Sequence, residues 1–118
     1  MYGAILGDII GSTYEFDMGN KSKEFPLFSE QSEFTDDTVM TLAVARGFLR
    51  AGATAEDEAV RSCIAESLYE LGHAYPGAGY GLRFLDWLYS KERKPYGSFG
   101  NGSAMRVSPV GWYAKSLK

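Results

Sequence analysis

The stretch with most chemical potential is Phe34-Thr35-Asp36-Asp37-Thr38, where two adjacent carboxylates and two hydroxyls stand at the start of an otherwise apolar segment. Hard divalent cations take such oxygens, and Mg²⁺ prefers a few carboxylates completed by water and substrate oxygens. The same residues also fit a helix start, with Thr35 or Asp36 as N-cap and Asp37 complementing the helix dipole. The two readings are compatible. A second candidate is Ser98-Phe99-Gly100-Asn101-Gly102-Ser103-Ala104-Met105-Arg106, a glycine-bearing loop whose exposed backbone N–H groups suit phosphate. Spacing alone fits an ordinary turn equally well, and Arg106 fits either an anion clamp or a structural arginine. The third is Asp8, set in the apolar run 1–10 with Glu15 downstream. A carboxylate there needs hydrogen-bond partners or a cation to offset its desolvation. Glu15 on its own reads as a solvated loop residue, and His73 as a helix-end residue with no catalytic role.

These groups need a scaffold, and the apolar periodicity supplies helices. Over 54–72, Val60, Cys63, Ile64, Leu68 and Leu71 form one stripe, with Thr54 as the expected N-cap and Gly72 as the expected stop. The segment 37–50 is apolar on nearly every face and belongs in the middle of a bundle. Two further helices are expected over 80–90 and 2–10. In the latter, Gly3, Gly7 and Gly11 share a face that a neighbouring backbone could approach closely. Residues 12–34 read as a long connection of the kind used for lids and binding loops. Beyond residue 100, Pro109 argues against a continuous helix. No segment alternates with period two, so the expected fold is all-α, a single helical bundle.

Composition narrows the function. The 118 residues carry 12 Lys and Arg against 15 Asp and Glu, a formal net charge of −3. No basic footprint for nucleic acid is present. No apolar run is long enough to span a bilayer. With Cys63 the only cysteine and His73 the only histidine, neither an internal disulfide nor a Cys/His zinc site can form. A metal here must be held by oxygen, and a reducing cytoplasm is the expected location.

Taken together, Gly-Ala-Ile-Leu-Gly-Asp-Ile-Ile-Gly with Glu15 downstream, Phe-Thr-Asp-Asp-Thr, and Gly-Asn-Gly-Ser-Ala-Met-Arg with Pro109 resemble the ADP-ribosylglycohydrolases, including the dinitrogenase reductase-activating type. The resemblance implies an all-α fold with two Mg²⁺ ions, or Mn²⁺ in their place, in a central cleft. It implies metal ligation by Thr35, Asp36 and Asp37, catalytic roles for Glu15 and Asp36, and ADP-ribose contacts from Gly100, Asn101, Gly102, Ser103 and Met105. Asp8 matches a position near the core of the site. The implied substrate is an ADP-ribosylated protein or small molecule. That family carries a later Asp-x-Asp-Thr motif completing the metal pair, whereas the aspartates here stand only at positions 8, 17, 36, 37, 57 and 86. The expectation is therefore an N-terminal portion of the fold, inactive or weakly active alone. Self-association, or completion by a C-terminal segment, would cover the faces left open. Two other readings stay open: a non-catalytic ADP-ribose or nucleotide-binding module, and an inert self-associating helical fragment.

Overall fold

A computed structural model describes residues 1–16, 18–19 and 22–114. It is all-α: α1 (Tyr2–Gly11), α2 (Asp36–Ala51), α3 (Asp57–Ala74), α4 (Leu82–Tyr89), α5 (Gly102–Met105) and α6 (Ser108–Tyr113), with a 3₁₀ turn at Ser12–Tyr14 and no strand among the described residues. No helix among them is long and apolar enough to cross a membrane.

The core is built around α2. Its start is fixed by the Thr35 side chain, which accepts from the Asp37 amide, and by Asp36 and Asp37 in the first turn. Its end is fixed by Gly52 at φ 83°, a left-handed conformation that glycine adopts without a Cβ penalty. Between them, Thr38, Val39, Met40, Thr41, Ala43, Val44 and Gly47 are buried. Val39, Met40 and Ala43 join Tyr80, Phe84 and Leu88 in one apolar cluster. The burial is not all round, because Leu42 and Leu49 face outward at 39% and 84% exposure.

Helix α3 lies along α2 at close range. A Cβ on Gly47 would fall 2.5 Å from the Ile64 Cα, so the missing side chain sets the helix separation. On the exposed flank Glu70 receives both Arg46 and Arg50. The start of α3 differs from expectation. Thr54 lies inside a turn closed by the Ala55 amide on the Gly52 carbonyl, and Glu56 is the cap residue, without a side-chain bond. Nor does Gly72 end the helix. It is a packing notch, where a Cβ would stand 2.8 Å from Leu88 Cδ1, and the helix runs on to Ala74.

Two other expectations meet their outcome here. No atom comes within 4 Å of a Cβ built on Gly3, Gly7 or Gly11, and α1 has no buried residue, so the glycine face is open among the described residues. At the other end the tail breaks between α5 and α6, with Pro109 in the first turn of α6, where its missing N–H costs no hydrogen bond. The 12–34 connection is held back on itself by Tyr14 donating to the Pro26 carbonyl and Ser12 Oγ accepting from the Glu33 amide.

Candidate active site

The site starts from Asp8. Its Oδ1 accepts from Thr35 Oγ1 at 2.6 Å, and its Oδ2 accepts from the Thr35 and Thr38 amides at 2.8 and 3.2 Å. Asp8 thus satisfies free donors at the α2 N-terminus from a different helix. The structural reading of this carboxylate, an anchor for backbone amides, is the one observed. Thr35 Oγ1 donates to Asp8 and accepts from the Asp37 amide, which leaves it a single lone pair. The Asp36 amide donates to the Ala78 carbonyl at 2.7 Å, tying the α2 start to the turn before α4. Gly79 at φ 95° allows that turn to fold back.

Asp36 opens into a cleft of about 340 Å³. The opposite wall is Gly100, Asn101, Gly102, Met105 and Arg106, and the floor is the start of α4 from Gly81 to Phe84. The link between walls is direct, since Thr41 Oγ1 on α2 donates to the Met105 carbonyl at 3.1 Å. Two arginines brace the glycine loop. Arg83 donates to the Gly97 carbonyl and sits over the Phe99 ring, and Arg106 Nη2 lies 3.1 Å from where a Gly102 Cβ would be. Helix α5 has only four residues, so its dipole offers little to an anion.

Burial pushes the Asp36 carboxyl up to about 6, and the charges of Asp37, Glu15 and Asp8 push the same way against Arg106. Asp37 is also raised, by burial first and then by Asp8. Tyr80 is raised to about 12 by burial and the nearby Asp36, and its hydroxyl is buried without a partner.

A model of the ADP-ribosylglycohydrolase family matches residues 1–118. The chain belongs to the ADP-ribosylglycohydrolase family. No curated protein and no solved structure matches it.

In this member of the family, Asp36, Gly100, Asn101, Gly102 and Met105 share one cleft. Thr35 and Asp37 stand beside it at the α2 start, and Glu15 is close enough to act on Asp36 electrostatically. Ser103 lies on α5 outside the lining. The donors fit a hard cation in kind, being two carboxylates whose pKa values are raised first by burial and then by neighbouring negative charge, with one threonine lone pair alongside. They do not make a full cage: among the described residues no three carboxylate, histidine or cysteine side chains converge on one point. Sequence reasoning missed Tyr80, Arg83, Phe84 and Tyr96. None lies in a motif; the 78–81 turn brings Tyr80, Arg83 and Phe84 to Asp36, and the segment after α4 brings Tyr96. Tyr80 gives no sequence signal separating it from an ordinary core aromatic.

Proposed function

We propose that this chain carries the ADP-ribose-binding and half of the cation-binding machinery of a glycohydrolase. The reaction is hydrolysis of the N- or O-glycosidic bond between ADP-ribose and a protein or small-molecule acceptor. The observation that carries this reading is the single cleft shared by Asp36 and the Gly100–Asn101–Gly102 loop. Glycines there let a ligand approach the backbone closely, and the Arg106 guanidinium beside them favours an anionic group such as a diphosphate. Asp36, facing the same space, is placed to stabilise positive charge developing on a ribose ring. Asp8 holds Thr35 and the first turn of α2 in register. Asp36 and Asp37, with Thr35 beside them, would hold a Mg²⁺ or Mn²⁺, which would supply charge to orient ribose hydroxyls and activate water.

The test is ADP-ribose binding by calorimetry with Mg²⁺ and with chelator, alongside release of ADP-ribose from an ADP-ribosylated substrate. Cation-dependent binding, weakened at least tenfold in Asp36→Ala, is the expected result. Binding that ignores the cation would instead make the chain a non-catalytic ADP-ribose module. No binding in either condition would leave an inert helical fragment.

A further inference from the structure

Arg106 is a cation in a costly position. It lines the cleft with Asp36, its Nε is buried without a hydrogen-bond partner, and burial pulls its pKa down. Among the described residues it makes no direct ion pair. A guanidinium withdrawn from water needs compensation. Part comes from the Phe84 ring, whose centroid is 5.6 Å from Cζ. The absence of a side chain at Gly102 leaves the room in which Nη2 lies. The remaining compensation is the field of Tyr96, Asp36 and Asp37, all of which favour the charged guanidinium.

Met105, the residue preceding Arg106, is held by the Thr41 hydroxyl on the buried face of α2. The same helix carries Asp36 and Asp37 in its first turn. The backbone next to Arg106 and the helix that carries the two carboxylates are therefore tied by a hydrogen bond.

We infer that Arg106 is the built-in counter-charge facing Asp36 within the shared cleft, which offsets the negative charge at the start of α2 and is opposed by any divalent cation that joins it. The competition rests on the cation site proposed above; the counter-charge does not. A purely structural arginine and a counter-cation differ in sign. Losing a structural arginine loosens the Gly100–Gly102 loop and weakens cation binding. Losing a counter-cation removes a positive charge facing the site and strengthens it.

The experiment compares the 118-residue protein with Arg106→Met and Arg106→Lys. Thermal melts are taken without divalent cation at low salt and at about 0.5 M salt, where charges that face the open cleft are partly screened. Mn²⁺ is then titrated by calorimetry at low salt. The expected result is a loss of stability in Arg106→Met that salt partly recovers, near-normal melting of Arg106→Lys, and roughly fivefold tighter Mn²⁺ binding by Arg106→Met. An equal loss at both salts, or Mn²⁺ binding that is unchanged or weaker, overturns the inference. Should Arg106→Met not fold, Arg106→Lys decides, because it keeps the charge and loses the planar stacking. A normal melt then supports the counter-charge, and collapse overturns it. If the unaltered chain binds no Mn²⁺ while the salt recovery persists, the proposed cation site fails and the counter-charge stands.

Discussion

Asp8 and Asp36 are both carboxylates at the edge of the core, yet they do opposite work. Asp8 accepts from three donors, while Asp36 faces a cleft beside other negative charges. Replacing Asp8 with Ala leaves the Thr35 and Thr38 amides without their acceptor and is expected to cost about 2–4 kcal/mol, read as a lower midpoint in urea unfolding. For Asp36 the sign runs the other way. Its folded pKa of about 6 lies above the ordinary 3.8, so its contribution to stability is fully present in acid and is lost as pH rises through about 6. Above that, the ionised group is a repulsive cost that a divalent cation relieves. Mg²⁺ should therefore raise the melting temperature by a few degrees at about pH 7.5 and hardly at all near pH 5, and Asp36→Asn should abolish the difference. Protection of equal size at both pH values would place the cation elsewhere.

At the scale of elements, the α2–α3 contact carries most weight. Gly47 sits in the interior of α2, where alanine would ordinarily be preferred by about 1 kcal/mol. Here the added methyl would meet the Ile64 backbone, which cannot swing aside as a side chain could. Gly47→Ala is expected to destabilise by about 1–3 kcal/mol net, a drop of several degrees in melting temperature. A variant that melts higher than the parent would mean that the helices separate freely. Gly72→Ala presses only on the end of the Leu88 side chain, so a smaller loss is expected there.

For the whole molecule, apolar exposure is the main feature. Leu49 and Trp112 flank a groove of about 350 Å³ also lined by Met1, Phe48 and Pro109, and both are more than three-quarters exposed, at 84% and 79%. Surfaces of this kind tend to find partners. Light scattering across a range of concentrations is expected to show self-association that Leu49→Glu with Trp112→Glu suppresses; a clean monomer throughout would count against it. Turnover is also a property of the whole. With no third acidic ligand converging among the described residues, cation geometry is under-determined, and misplacement by about 1 Å can cost on the order of a hundredfold in rate. Little ADP-ribose release is expected from these 118 residues alone, rising when a segment bearing Asp-x-Asp-Thr is added. Full turnover without it, abolished by Asp36→Ala, would show that the later motif is dispensable.

The family and the all-α class were legible in the sequence because both reside in local order: motif spacing, and apolar residues repeating with the helical period. The α2 start was legible for the same reason, since Thr35, Asp36 and Asp37 cap a helix through bonds to their own neighbours. What tertiary structure decided depends on separations that no local pattern records. Asp8 reads as a cation ligand or an anchor until Thr35, 27 positions on, takes its oxygens. Gly72 reads as a helix stop until Leu88 fills the space above it, and Gly3, Gly7 and Gly11 read as a packing face that nothing among the described residues covers. Glycine is ambiguous in sequence because its meaning is what occupies the volume it leaves free. Arg106 is ambiguous likewise, because a charge acquires its role only from the other charges that the fold brings within reach.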